Sequence, residues 1–155
     1  MALAEPLDAA GIPVPFSVLL PVYHGDTPER LRRAVESNTV DQTRPPAEVV
    51  LVQDGPVSPP LETELRRLEA DSQIPVRVLR LAQNGGLARA LHTALPQCAH
   101  DVVARADADD VAYPRRFEQQ LPLIEDGADV VGASMHEIGD DEQNPVALRA
   151  APVGA

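Results

Sequence analysis

The chain has 155 residues, 44% of them hydrophobic, 24% charged and only 3% aromatic, and its net charge is −11. That length supports one domain with a proper core, built here from Leu, Val, Ile and Ala because Trp is absent. The acidic excess argues against a nucleic-acid backbone or an anionic membrane surface as partner, since both select for basic patches; a nucleotide stays admissible if a metal ion meets its phosphates.

The first 14 residues, "MALAEPLDAAGIPV", carry no basic cluster and no long apolar run, and read as a flexible leader. The predicted domain runs over 15–155. "FSVLLPVY" (16–23) is a short apolar run ending in turn residues, a strand. In "GDTPERLRRAVESN", Asp26 or Thr27 can cap a helix, Pro28 suits its first turn, and Leu31, Ala34 and Val35 form its apolar stripe. "EVVLVQDG" (48–55) is a second strand closed by Asp-Gly, and 58–72 a second helix opened by Ser58 and striped by Leu61, Leu65 and Leu68. "VRVLRL" (76–81) alternates as a strand, and "GGLARALHTALPQC" has helical spacing. "DVVARAD" (101–107) predicts a fourth strand, 114–127 a helix that Pro122 kinks or shortens, and "ADVVGASM" (128–135) a fifth strand. The residues after it read as a turn and the start of another strand.

Strands alternating with helices make βαβ units, hence a mostly parallel sheet with helices on both faces. Ligands of such sheets bind outside the carboxyl ends of the strands. Those ends are Pro21–Tyr23, Gln53–Gly55, the loop Gln83–Gly86, and Asp107–Asp110. At the last of these, three carboxylates fall within four positions. Mg²⁺ and Mn²⁺ take oxygen ligands, commonly one or two carboxylates completed by substrate phosphates, so Asp107 and Asp109 are candidate metal ligands. A solvated acidic turn has the same composition, and spacing alone does not separate the two. Asp54-Gly55 reads equally as a turn pair or a binding residue, and Gly85-Gly86 as a tight helix entry. The four His show no metal-ligand spacing, and the single Cys98 excludes an internal disulfide, which with the absence of an apolar span predicts a cytoplasmic protein.

Taken together, "PVY" followed by His24, "VQDGP", "QNGGLARAL" and "ARADADD" followed by "YPRRFEQQL" resemble the N-terminal half of family 2 inverting glycosyltransferases, of GT-A fold, over about Ser17 to Leu121. "ADADD" followed by "YPRRFEQQL" is similar to a subgroup linked to exopolysaccharide and other cell-surface glycan synthesis. The resemblance implies that Pro21 and Tyr23 line the base pocket and that Asp54 binds the base, uracil where the donor is a UDP-sugar. It implies that Asn84, Gly85 and Gly86 approach the nucleotide and sugar, that Asp107 contacts the ribose or joins the metal site, and that Asp109 coordinates Mn²⁺ or Mg²⁺. Arg89 and Arg105 are within reach of phosphate by position, with a paired structural role the favoured reading. His24, Gln53 and His92 depart from the family's Asn, Asp and Asn.

In the resembled family the general base lies C-terminal of the acidic motif, in the acceptor-binding half, which this chain is expected to lack. No carboxylate after Asp110 is assigned as base. The expected function is metal-assisted transfer from a nucleotide-diphosphate sugar to a glycan or lipid-linked acceptor, with self-association through an exposed face. The alternative is a nucleotide-sugar-binding or partner-binding module without catalysis. A phosphotransferase of the haloacid-dehalogenase type fits poorly, because its nucleophilic Asp ends the first strand.

Overall fold

The structure, a computed structural model, describes residues 13–139, 141 and 143–150, so most of the leader expected over 1–14 lies outside the described residues. They fall into two compact units, up to Glu118 and from Gln119 onward.

The first unit is a four-stranded sheet with helices. Its strands are β1 (Phe16–Val22), β2 (Glu48–Asp54), β3 (Val76–Leu81) and β4 (Val102–Arg105). The order is β3-β2-β1-β4, every neighbouring pair parallel. Parallel strands buried on both faces need near-continuous apolar runs, and β1 and β2 supply them: Val18, Leu20, Val50, Leu51 and Val52 are fully buried. Each such side chain contributes about 1.5–3 kcal/mol of burial.

Helices α1 (Pro28–Ser37) and α2 (Pro59–Asp71) connect β1 to β2 and β2 to β3, moving in one direction along the sheet, and pack against each other. Thr27, rather than Asp26, caps α1, its Oγ1 accepting from the Arg30 amide at 3.3 Å. Helix α3 (Leu87–Ala94) leads back to β4 on the far side of β1, and a right-handed crossover in that direction places it on the other face. There its Ala90 and Ala94 pack on Leu19, Val50 and Val52. A 3-10 turn over Leu95–Gln97, at Pro96, ends it earlier than the sequence predicts. The chain's two Phe meet at the opposite end of the sheet, Phe16 and Phe117, with ring centroids 4.7 Å apart.

Reversal of strand order at β1 opens a crevice between the carboxyl ends of β1 and β4. In α/β sheets this is where ligands sit.

Helix α4 (Arg116–Glu125) crosses into the second unit with Pro122 inside it and closes on Gly127, whose φ is +102°. The strand predicted over 128–135 is not formed: 128–134 are irregular, with Val130 87% exposed. A strand needs a neighbouring strand to pair with, and among the described residues no strand pairs with 128–134. Strand β5 (Met135–Ile138) begins where it was expected to end and pairs antiparallel with β6 (Pro145–Arg149) in a separate hairpin.

Candidate functional site

A cleft of about 420 Å³ occupies the crevice. Its walls include Pro21 and Tyr23 from the end of β1, Asp54 from β2, Asn84 and Gly86 from the β3–α3 loop, and Asp107 and Asp109 after β4. Of the residues assigned to nucleotide, sugar or metal in the sequence, all but Gly85 line it, and Gly85 is bonded to one that does. All of this lies in the first unit.

At the β1 exit the backbone turns sharply. The Asp26 amide donates to the Tyr23 carbonyl at 3.1 Å, and the Tyr23 amide donates to Asp26 Oδ2 at 2.9 Å. The Tyr23 ring folds over Gly25 so closely that a Cβ there would lie 2.5 Å from it. His24 meets the same ring edge-on, centroids 5.1 Å apart. Tyr23 thus stands half-exposed beside Pro21 as a flat wall able to carry a planar group.

Asp54 is buried and its carboxylate is fully engaged. Oδ1 accepts from the Gly85 amide at 2.8 Å and Oδ2 from the Gly86 amide at 2.9 Å, while the Asn84 side chain donates to the Asp54 carbonyl at 3.2 Å. The β2 exit and the 83–86 loop are therefore one clamped unit. Gly55, at φ +84°, lets them approach: a Cβ there would sit 2.4 Å from the Asn84 nitrogen. Gly86, at φ +87°, opens α3 in a conformation that other residues rarely adopt.

Beyond β4 the chain makes a tight turn, the Asp110 amide donating to the Asp107 carbonyl at 3.2 Å. Arg105 pairs with Asp107 at 3.0 Å and itself lines the cleft. Arg89 does not line it. Burial pushes the Asp110 carboxyl above its ordinary value and the charges of Asp109 and Asp107 add to the rise, with Arg116 and Arg105 opposing. Asp26 is raised for the same kind of reason, first by burial, offset by its bond from the Tyr23 amide, and then by the field of Asp109 and Asp107. Four carboxylates thus share one corner with two guanidinium groups.

Among the described residues no three His, Cys, Asp or Glu form a ready-made metal cage. The donor set nevertheless fits a hard divalent cation that takes one or two carboxylates and completes its shell with phosphate oxygens. Asp109 is exposed at the cleft wall, whereas Asp107 is held by Arg105.

Sequence reasoning did not place Asp26 in the site. Its motif allowed two caps, and only the fold shows that Thr27 takes the role and leaves Asp26 to brace Tyr23. It also passed over Arg116, whose guanidinium donates to the Arg105 carbonyl at 2.7 Å. An Arg at the start of a helix offers no signal of that kind.

Comparison with known proteins gives the chain its relatives. The model of the family described as Glycosyl transferase family 2 matches residues 17–150. An uncharacterized glycosyltransferase of Haemophilus influenzae is 39% identical over 142 residues, covering 90% of this chain and 52% of that protein. The amylovoran biosynthesis glycosyltransferase AmsE of Erwinia amylovora is 38% identical over 138 residues, covering 89% and 51%. The chain therefore spans about half the length of these curated relatives. Among solved structures, the mannosyltransferase PcManGT of Pyrobaculum calidifontis, in complex with GDP-Man and Mn²⁺, superposes with a TM-score of 0.58 at 23% identity, covering 77% of this chain and 34% of that one. S. aureus TarS in complex with UDP gives 0.51 at 26%, covering 63% and 28%. The match over 17–150, the relatives at 38–39% identity and the parallel α/β sheet shared with these structures together mean that this chain belongs to glycosyl transferase family 2 and has the GT-A fold.

Proposed function

We propose that the cleft binds a nucleotide-diphosphate sugar, a UDP-sugar by preference, together with Mn²⁺ or Mg²⁺, as the donor half of a transferase that builds surface polysaccharide or lipid-linked glycan. The observation that carries this is the convergence of the Tyr23 wall, the 84–86 loop and the acidic turn on one crevice. Pro21 and Tyr23 would flank the base, and Asp54 with Asn84, Gly85 and Gly86 would set the rim on which base and ribose rest. Asp107 and Asp109 would hold the cation, which when bound would neutralise the diphosphate and the charge gathering on the departing nucleotide. Tyr23 and Leu87 would exclude water from the base. PcManGT and TarS, similar in fold, were solved with ligands of this class, and AmsE is named for exopolysaccharide synthesis.

Transfer further requires a general base to take the acceptor's proton, and no residue here is assigned to it. Nucleotide-sugar binding with no turnover would favour the second reading, a module that binds without transfer.

Calorimetric titration with UDP, GDP and dTDP, each with and without Mn²⁺, tests the proposal. Asp109→Ala should abolish the Mn²⁺-dependent part of the affinity and leave the protein folded. Binding as tight as the parent's in Mn²⁺ would remove the metal assignment.

A further inference from the structure

The end of α1 and its short, polar connection to β2 alternate between exposed and buried residues, and three of the buried ones are polar: Ser37 is 0%, Asn38 1% and Gln42 7% exposed. Polar side chains out of water cost free energy unless they are hydrogen-bonded, so their partners matter. Some bonds close the end of α1, as from the Asn38 side chain to the Ala34 carbonyl at 2.9 Å. The remainder reach more than 70 residues along the chain to a single segment, the one that follows the acidic turn. Ser37 Oγ accepts from the Ala112 amide at 3.0 Å. Gln42 Nε2 donates to the Tyr113 carbonyl at 2.9 Å, and its Oε1 accepts from the Phe117 amide at 3.4 Å. The Thr43 amide donates to the Pro114 carbonyl at 2.9 Å.

The other flank of the turn is tied to the same place. Arg116 Nη1 donates to Asn38 Oδ1 at 2.9 Å while Nη2 donates to the Arg105 carbonyl at 2.7 Å. Asp107–Asp110 is thus fastened before it, at Arg105, and after it, at Ala112 and Tyr113, to one buried scaffold. Apolar packing would stabilise such a loop without fixing its register; directional bonds to backbone atoms fix both.

We propose that Ser37, Asn38, Gln42 and Arg116 are positioning residues that hold the acidic turn at the geometry needed to share a divalent cation with a nucleotide diphosphate. The inference rests on the metal-and-nucleotide reading of the cleft. It assigns to the 37–43 connection a role in binding, although none of its residues lines the cleft. The planar fork of Arg116 serves two acceptors at once, which a Lys ammonium on a flexible stem does not reproduce.

The test uses the full chain with Arg116→Lys and, as a milder change certain to keep core volume, Ser37→Ala. Each variant is first melted, and all further work is done well below its midpoint. UDP affinity is then measured in Mn²⁺ and in EDTA, and amide hydrogen exchange over 106–112 is followed without ligand. Both variants are expected to lose tenfold or more of the Mn²⁺-dependent affinity and to exchange faster over 106–112. Metal-free UDP affinity should stay within twofold, because Tyr23 and the Asp54 clamp are anchored elsewhere. A lowered midpoint with parent-like Mn²⁺-dependent binding would make these residues merely structural and overturn the proposal; so would an equal loss in Mn²⁺ and EDTA. If the parent shows no metal-dependent binding at all, the reading of the cleft fails instead. Unchanged exchange over 106–112 would then sink the scaffold independently.

Discussion

Asp54 shows how much one side chain can do at the end of a strand. Its sequence, Asp-Gly after a strand, leaves a turn and a binding role level; in the structure the carboxylate that ends β2 holds the neighbouring loop through two backbone amides at the wall of the cleft. Asp54→Asn keeps the shape but turns an NH₂ toward an amide that needs an acceptor. A fully buried donor left unsatisfied costs about 1–3 kcal/mol, and because these two bonds are only partly buried the loss falls at the lower end of that range. Urea unfolding should show a loss of that size, and Gly85 and Gly86 amides should exchange faster. An unchanged midpoint with an altered preference among UDP, GDP and dTDP would mean instead that Asp54 serves only to read the base. What the sequence could not show at this scale is which partner each polar atom finds, because those partners are 31 and 32 residues away.

Among the elements, α2 carries a charged residue on its apolar stripe. Glu64 shares the buried face with Leu61, Leu65 and Leu68, and is satisfied by Arg32 of α1 at 2.7 Å and Arg67 of its own helix at 2.6 Å. Burial opposes its ionisation, but hydrogen bonds from Arg32 and Arg67 outweigh that and hold the carboxyl down to about 2. A folded-state value below the unfolded one contributes stability that is present above about pH 4.5 and disappears as pH falls toward 2. Glu64→Gln should therefore lower stability at pH 7 by about 1–3 kcal/mol, the upper end reduced because both Arg side chains are partly solvated. The gap between parent and variant should close through that acid window; a gap independent of pH would show that packing, not charge, is responsible. The helices and the four sheet strands were legible because the central β1 and β2 are nearly unbroken apolar runs, the edge strand β3 alternates, β4 is a short apolar run, and the helices carry clear stripes. The run at 128–134 carries a similar Val-Val pair but, among the described residues, no strand lies beside it to pair with, and a pairing strand is not something composition records. The 37–43 connection passed as an ordinary polar loop for a related reason: burial of Asn38 and Gln42 is created by residues of the 112–117 segment, far off in the chain.

For the molecule as a whole, a net charge of −11 sets the terms on which an anionic ligand enters. Without metal, a nucleotide diphosphate approaches a like-charged protein whose cleft is walled by Asp26, Asp107 and Asp109. Salt screens that repulsion over about 10 Å at 0.1 M, so metal-free UDP binding should strengthen severalfold as ionic strength rises from low values. Titrations across a salt series would show it, and a steady weakening would mean that Arg105 rather than the acidic field governs entry. The flat wall beside Pro21 has a practical side as well. With no Trp and only two Tyr in the chain, the protein's ultraviolet emission comes from two phenols, one of which rims the cleft. A nucleobase resting on Tyr23 would dim roughly half of that light, so the molecule reports its own occupancy with no dye attached.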